Sequence, residues 1–399
     1  MEEQDKVIFV QNRFSTRRLN RGYETLETRA MFASLAGANI GASCPAFAGT
    51  GNIESDLFSE SSTKVKSKPE YTYSISGNAG DKNVAPTGGG LALMGGGTEV
   101  DEAFRWLADK ANGGDFVVLG ATSTQFYNKY ISDLASLDSV ETLIIPTFAA
   151  ANADFVYEKI AHAEAIFIKG GDQSDYINYW SGSRVEDALY VAMQRHVPIG
   201  GSSAGLAVLG EVDFAALNDS ITSSEALANP LDGRISLDAG FLTPEDAGGA
   251  ETALQLVDNV IMDTHFMQRD RMGRMLTFMA RMDSDNLVPA TPRGIAVNEQ
   301  TALLVSDNGS ARAVGNLYAK KIPVAEQQRS VYLLEGAVDA FVTEDPLTYR
   351  VHAQRATYDP LSNSSDAVDL PSWEVAGASL YEVSASSGEL SSSSGSIYA

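Results

Sequence analysis

Short apolar runs alternate with amphipathic stretches along the middle of this 399-residue chain. Residues 91–94 and 165–168 have the length and composition of buried strands. Residues 99–111 carry their apolar side chains at helical spacing, which predicts a helix with one buried face. Further strands are predicted at 116–119, 143–145 and 197–199, and further helices at 127–134, 151–162 and 174–195. Strands that alternate with helices indicate an α/β fold, with a parallel sheet between two layers of helices.

The flanking regions lack this pattern. Residues 1–87 are predicted to be a largely disordered leader, because Ser, Gly and Lys dominate the stretch before the first strand. The α/β domain then spans 88–310. Residues 311–361 are predicted to form a β-rich extension, with strands at 331–334 and 348–351. The Ser-rich tail 362–399 is predicted to be disordered.

The leader leaves the compartment open. Arginines within 17–21 precede a mildly apolar run at 30–43 that ends at Cys44, which is the order of features in an export or lipoprotein signal. Glu24 and Glu27 stand between the two and oppose that interpretation. The sequence is therefore compatible with either a cytoplasmic or an exported location.

Charge and cysteine content narrow the class of protein. The net charge of −23, from 29 basic and 52 acidic residues, argues against a nucleic-acid partner. The single cysteine excludes an internal disulfide and a CxxC metal site. Residues 95–97 form a triple glycine, but neither a P-loop nor GxGxxG is present. No metal or cofactor is expected, and no apolar run is long enough to span a membrane.

A strand-to-helix turn carries the strongest candidate chemistry. The sequence Gly201-x-Ser203-x-Gly205 follows the strand at 197–199 and precedes an apolar helix start. This is the pattern of a nucleophile elbow, in which small neighbours allow a serine to sit in a strained turn with its hydroxyl exposed. Ligands of parallel sheets bind at the carboxyl ends of the strands, where this turn, the triple glycine and residues 170–173 all fall.

A serine nucleophile needs a base, and His265 is the best placed of four histidines. It follows an apolar strand that ends at Asp263. The acid that would orient it stays open on position alone, because eleven acidic residues lie between Ser203 and His265, Asp263 among them. Three arginines follow His265 closely, and their forked guanidinium groups suit an anionic or zwitterionic substrate: Arg269, Arg271 and Arg274.

Three segments together resemble cyanophycinase, a family of serine exopeptidases related to aspartyl dipeptidases. They are Gly-Ser-Ser-Ala-Gly at 201–205, Gly-Gly-Asp-Gln at 170–173 and the histidine–arginine run at 263–274. Residues 294–303 also resemble the strand that follows the arginine helix in that family. The resemblance implies a class I glutamine-amidotransferase-like, flavodoxin-like fold over about 88–310. It also implies hydrolysis of cyanophycin or of a related aspartyl or isoaspartyl peptide.

The resemblance also implies roles for individual residues. Ser203 would be the nucleophile, His265 the base and Glu225 the acid, because Ser224-Glu225 matches the Ser-Glu of the family. The residues expected to hold the substrate are Gln173, Thr264, Arg269, Arg271 and Arg274. Backbone N–H groups near Gly171 and Ala204 are expected to form an oxyanion hole.

Departures from the family leave alternatives. Thr264 stands where a glutamine is usual, and Lys169 replaces a small residue before Gly170. An esterase of the α/β-hydrolase type has the same Ser, Glu, His chain order, and a non-catalytic amidotransferase-like binding protein is a second alternative. The expected partner is a peptide that contains aspartate. The sequence does not decide whether the protein forms a homodimer.

Overall fold

The computed structural model of the chain describes residues 70–122, 127–243, 252–318, 328–337 and 346–399. The leader prediction for residues 1–69, including the signal-like stretch that ends at Cys44, lies outside the described residues. Among the described residues, no helix combines the length and apolar character needed to cross a bilayer.

The described elements alternate between strands and helices up to Val297 and are strands thereafter. The helices are α1 (Asp101–Lys110), α2 (Asn128–Leu134), α3 (Phe148–Ala151), α4 (Asp154–Ala161), α5 (Gln173–Trp180), α6 (Arg184–Gln194), α7 (Ala204–Ala207), α8 (Ser223–Ala228) and α9 (Met272–Ser284). The strands up to that point are β1 (Thr72–Gly77), β2 (Gly90–Met94), β3 (Asp115–Gly120), β4 (Ser139–Ile144), β5 (Ala165–Ile168), β6 (Ile199–Ser202), β7 (Val212–Phe214), β8 (Leu237–Ala239), β9 (Val260–Asp263) and β10 (Arg293–Val297). The later strands are β11 (Thr301–Ser306), β12 (Ser310–Gly315), β13 (Ser330–Gly336), β14 (Tyr349–Asp359), β15 (Ser364–Ser365), β16 (Ala367–Asp369), β17 (Glu374–Val375), β18 (Tyr381–Ser386) and β19 (Glu389–Ser392). Two 3₁₀ turns occur at Ala253–Val257 and Met267–Arg269.

The apolar runs predicted as strands form the centre of a first sheet. Its order among the described strands is β1-β4-β3-β5-β6-β2-β11-β12-β16-β17. The five strands from β4 to β2 run parallel, and antiparallel β1 and β11 flank them. Every residue of β2, β3 and β5 is buried, as the continuous apolar runs predict for a covered parallel sheet. The predicted α/β class with parallel strands is confirmed.

A second sheet was not predicted. Its order among the described strands is β19-β18-β14-β13-β10-β9-β7-β8, with β7, β9 and β10 parallel and the other neighbours antiparallel. Helix α9 lies in the crossover between β9 and β10, and a helix is the usual connection between parallel neighbouring strands. The chain then turns at 298–300 and passes from β10 of the second sheet to β11 of the first. The turn 298–300 therefore lies where the two sheets meet.

Apolar packing explains how the layers are held. Side chains of both sheets, such as Leu93 of β2 and Met262 of β9, belong to one continuous cluster together with α5 and α6. Helices α1 and α2 cover the other face of the first sheet, and α8 and α9 cover the other face of the second. The central strands of each sheet are thus covered on both faces, and the two sheets share one apolar core.

Ordered strands occupy two regions that were predicted to be disordered. In the leader range, β1 pairs with β4 along the sheet edge. In the tail, β16 to β19 bury Val368, Tyr381 and Val383 at alternating or near-alternating positions. The Ser-rich composition concealed this period-two pattern, in which serine occupies the solvent-facing positions of a strand.

Asp213 on β7 provides a test of the stability of the second sheet. Asp213 faces Asp238 across the β7–β8 ladder, and neither of its carboxyl oxygens has a hydrogen-bond partner among the described residues. Burial, and then the charge of Asp238, raise the pKa of Asp213 well above its usual value. Folding therefore favours the neutral form of this carboxyl, and the contribution of that form to stability is full below about pH 4 and is lost as the pH rises. We expect Asp213→Asn to reduce the drop in melting temperature between about pH 5 and about pH 8, whereas Asp133→Asn, at an exposed site, should not. Equal drops in wild type and Asp213→Asn would show that Asp213 is not a neutral buried acid.

Candidate active site

Ser203 occupies the turn between β6 and α7 in a strained backbone conformation. Its φ of 52° and ψ of −117° lie outside the regions that side chains with a Cβ prefer. Gly205 makes the turn feasible, because a Cβ there would lie 2.1 Å from the carbonyl oxygen of Ile168. The predicted nucleophile elbow is therefore present in the backbone geometry.

The turn that contains the triple glycine holds three segments together. The carbonyl groups of Met94, Gly95 and Gly96 accept hydrogen bonds from the backbone N–H groups of Ser203, His265 and Gln300, at 3.1, 2.8 and 2.8 Å respectively. Gly96 also leaves room for the imidazole, because a Cβ there would come within 2.5 Å of the His265 ring. A larger residue at this position would displace the histidine. The turn therefore sets the relative positions of the serine, the histidine and the loop 298–300.

Ser203, His265 and Glu299 form one hydrogen-bonded chain. The Ser203 Oγ lies 2.8 Å from Nε2 of His265, and Nδ1 of the same ring lies 2.6 Å from Oε1 of Glu299. A carboxylate can only accept, so Nδ1–H donates to Glu299 and Nε2 is left to accept from the serine hydroxyl. This is the tautomer that a general base for Ser203 requires.

Glu225 does not meet the prediction that it orients His265. It lies in the first turn of α8, where it completes a capping box with Thr222 and binds Arg234 at 2.9 Å. The hydrogen bonds from Thr222 and then from Arg234 hold the pKa of Glu225 at about 2. Ser224-Glu225 thus starts a helix, and the carboxylate on the imidazole is Glu299.

Glu299 could have been found from the order of elements. It follows β10 directly, at the carboxyl end of a strand that is the parallel neighbour of β9, and β9 leads to His265. The histidine loop and the Glu299 loop are also joined, since Met267 N–H donates to Asn298 Oδ1 and Glu299 N–H to Gln268 Oε1, both at 3.0 Å. The acid was overlooked because only residues between Ser203 and His265 were considered as candidates from position.

The three arginines have different environments. Arg274 is buried and binds both oxygens of Asp263, at 2.8 and 2.5 Å, while Arg271 reaches the same carboxylate at 3.1 Å. Burial raises the pKa of Asp263, but Arg274 and Arg271 hold it below the usual value on balance. Asp263 thus binds both arginines, compensates one of their two positive charges, and is not the acid on His265. Arg269 is exposed, and it has no ion-pair partner in the part of the chain that the structure describes.

The other predicted residues lie around the same strand ends. Thr264 is buried and accepts from Arg271 through its carbonyl and hydroxyl oxygens, at 2.7 and 3.1 Å. Gln173 begins α5 and donates to the carbonyl of Phe214 at 3.3 Å, which links the two sheets. Ala204 follows Ser203 at the first position of α7, and Gly171 follows β5 beside the Tyr176 ring. Thr264 therefore supports Arg271, Gln173 joins the end of β5 to β7, and Ala204 directly follows the serine.

The protonation of His265 gives a pH prediction. Burial is the main cause that lowers the pKa of His265; Glu299 opposes it, and the charges of Arg269 and Arg271 add to the lowering. The neutral ring is the form that accepts a proton, so activity is lost as the pH falls through this pKa. We expect the acid limb of kcat/KM to have its midpoint below about pH 6.5. A pH–rate profile with its midpoint clearly above that value would contradict the assignment of His265 as a buried base.

This geometry defines a serine-hydrolase type of site. It joins a hydroxyl, an imidazole and a carboxylate, and the hydroxyl lies on a strained turn at the end of β6. The family comparison agrees with it. Residues 91–313 match Peptidase family S51, and the chain belongs to that family.

Curated relatives show the same relationship at low identity. The chain is 23% identical over 196 residues to a cyanophycinase of Synechococcus elongatus, covering 48% of this chain and 51% of the relative. It is 25% identical over 179 residues to a cyanophycinase of Trichormus variabilis, covering 45% of this chain and 51% of that relative. The match thus spans about half the length of these relatives. Among solved structures, a peptidase from an acI-B1 Actinobacterium is similar with a TM-score of 0.41 and 16% identity, over 58% of this chain and 89% of that one. The resemblance to cyanophycinases seen in the motifs is confirmed at the level of the family.

Proposed function

We propose that this chain is a serine peptidase that hydrolyses aspartyl or isoaspartyl peptide bonds, with cyanophycin as the first substrate to test. The observation that supports the reaction type best is the hydrogen-bonded chain from Ser203 through His265 to Glu299. We also infer that the parallel strands β4 to β2 correspond to the central sheet of a class I glutamine-amidotransferase-like fold.

The reaction follows from the positions of the protons. Ser203 Oγ attacks the scissile carbonyl carbon while His265 Nε2 takes its proton, and Glu299 stabilises the imidazolium that forms. The N–H groups of Gly171 and Ala204 donate to the oxyanion of the tetrahedral intermediate. His265 then protonates the leaving amine, and a water molecule releases the acyl group by the same steps in reverse.

Arg269 is the arginine best suited to recognise a substrate carboxylate. It lies close enough to His265 for its charge to lower the pKa of the ring, and its side chain is exposed. Arg271 and Arg274 are bound to Asp263, so their role in this proposal is to hold the β9 end and the histidine loop. An aspartate carboxylate next to the scissile bond would complement the forked guanidinium of Arg269.

Substitution of the arginines separates recognition from stability. We expect Arg269→Gln to lower kcat/KM for aspartyl peptides about 10- to 100-fold with little change in melting temperature, because a charge-assisted hydrogen bond contributes about 1.5–3 kcal/mol. Arg274→Gln, the matched control, should instead lower the melting temperature, since it leaves Asp263 buried without its main partner. If Arg269→Gln has full activity on aspartyl peptides, Arg269 does not bind the substrate.

A substrate panel tests the proposed function. The panel contains cyanophycin, α- and β-aspartyl dipeptides, matched dipeptides without aspartate, and short p-nitrophenyl esters. We expect hydrolysis of cyanophycin or aspartyl peptides that is absent in Ser203→Ala, and little hydrolysis of peptides without aspartate. Hydrolysis of the esters alone would favour the esterase alternative, and no hydrolysis with any substrate would favour a binding protein.

A further inference from the structure

The chain after β19 returns to the second sheet and is held there by its backbone. The phenol of Tyr381 on β18 donates to the carbonyl of Ile397 at 3.4 Å. The guanidinium of Arg355 on β14 donates to the carbonyl of Tyr398 at 2.9 Å. The side chains of residues 397–399 pack against the apolar cluster between this sheet and α9. The backbone of Tyr398 is therefore held by contacts that do not depend on its phenol.

The phenol of Tyr398 reaches the start of α9. Its hydroxyl accepts from the N–H of Met272 at 3.2 Å and donates to Oδ1 of Asp270 at 2.9 Å. Met272 is the first residue of α9, and Arg271 before it gives the helix no side-chain cap. Asp270 has a φ of 47°, a left-handed conformation that is uncommon for residues other than glycine. One hydroxyl from a distant segment therefore supports both the left-handed residue and the first turn of the helix.

The ring of Tyr398 packs near the other end of the same loop. Its centre lies 5.7 Å from that of Phe266 and 5.9 Å from that of Tyr332, in edge-to-face geometry with both. Phe266 is buried and directly follows His265 in the chain. The ring of Tyr398 thus contacts the residue next to the base, whereas its hydroxyl contacts the residue next to Arg269.

A backbone hydrogen bond joins the base to Arg269 within the histidine–arginine loop, residues 265–272. The N–H of Arg269 donates to the carbonyl of His265 at 3.0 Å. Arg269 is exposed, and the carboxyl of the adjacent Asp270 is bound to Tyr398. Without that bond, the Asp270 carboxylate would be free to pair with the neighbouring guanidinium and to compete with a substrate carboxylate. The phenol of Tyr398 is therefore placed to keep Arg269 available.

We propose that Tyr398 is a positioning residue, which holds the histidine–arginine loop so that Arg269 can bind a substrate carboxylate. This inference rests on the proposed function, because it assumes that Arg269 binds the substrate. Tyr398 acts through Asp270 and Met272 with its hydroxyl and through Phe266 with its ring. It needs no contact of its own with the substrate.

Two substitutions of Tyr398 separate the hydroxyl from the ring. The measurements are kcat and KM for an aspartyl peptide of the panel, the rate of Ser203 phosphonylation by a fluorophosphonate, and the melting temperature. We expect Tyr398→Phe to raise KM about five- to tenfold, because one hydroxyl and its two hydrogen bonds are lost. Its phosphonylation rate should equal that of wild type, because the ring stays and the probe has no carboxylate. Tyr398→Leu should also slow phosphonylation, because the aromatic contact with Phe266 is lost.

A double variant distinguishes positioning from a loss of stability. If the hydroxyl acts through Arg269, Tyr398→Phe should have little further effect on kcat/KM in the Arg269→Gln background. Tyr358→Phe is the matched control, because the phenol of Tyr358 donates to Asn363 at 2.9 Å. That bond joins β14 to the turn before β15, so its loss should leave KM and the phosphonylation rate unchanged.

The outcomes separate this inference from the proposed function. Wild type that hydrolyses no aspartyl peptide would contradict the proposed function and, with it, this inference. Active wild type together with an unchanged KM in folded Tyr398→Phe would overturn the role of Tyr398 alone. An equal loss from Tyr398→Phe with and without Arg269 would show that Tyr398 does not act through Arg269. An equal rise of KM in Tyr358→Phe would reduce the effect to a general weakening of the second sheet.

Discussion

Ser203→Ala is expected to lower kcat for aspartyl peptides by about 10³-fold or more. The substitution removes the attacking oxygen and leaves the strained turn in place. Binding and the oxyanion donors remain, so a small residual rate above that in water is expected. The measurement is kcat under saturating substrate, made on protein whose cooperative thermal transition matches that of wild type.

The expected stability of Ser203→Ala gives this test its control. The Ser203 side chain makes one described hydrogen bond, to His265, and its loss leaves no strand or helix unsupported. Near-wild-type turnover by the folded variant would contradict a covalent mechanism at this serine.

Glu299→Gln is expected to lower kcat about 10²- to 10⁴-fold, because the amide can no longer fix the tautomer of His265 or stabilise its positive charge. The same substitution removes a group that raises the pKa of His265, so the acid limb of the pH–rate profile should move to lower pH. Both kcat and its pH dependence are measured on the same substrate.

Glu225→Gln is the matched control for Glu299→Gln. It removes the same charge from a carboxyl that caps α8 and binds Arg234. We expect a modest loss of stability, because the capping box of α8 is weakened, and no change in the pH profile. A large loss of kcat in Glu225→Gln with full activity in Glu299→Gln would reinstate the acid inferred from sequence resemblance.

The local pattern predicted the serine and the histidine, because each can be recognised from one contiguous stretch of the chain around it. The elbow needs only a strand, small residues and a helix start, and all of these are contiguous around Ser203. The acid depends on which strand ends lie next to each other. Glu299 reaches His265 because β10 pairs with β9, a tertiary arrangement that no local spacing encodes.

The arginines illustrate the same difference. Their clustering predicted an anion-binding surface, but the structure shows that Asp263, two residues before His265, binds two of them. The binding of both arginines by one buried acid could not be predicted from spacing, because it depends on which side chains face inward. The second sheet was missed for a related reason, since its strands are contributed by separate segments between Val212 and Ser392.

We propose above that Ser203 is a nucleophile activated by His265 and Glu299. The most direct test of this proposal is to treat the protein with a fluorophosphonate, digest it and locate the adduct by mass spectrometry. We expect one adduct, on Ser203, with strongly slowed formation in His265→Ala and none at this position in Ser203→Ala. An unmodified Ser203 in folded wild-type protein, or an adduct that forms equally fast without His265, would contradict the proposal.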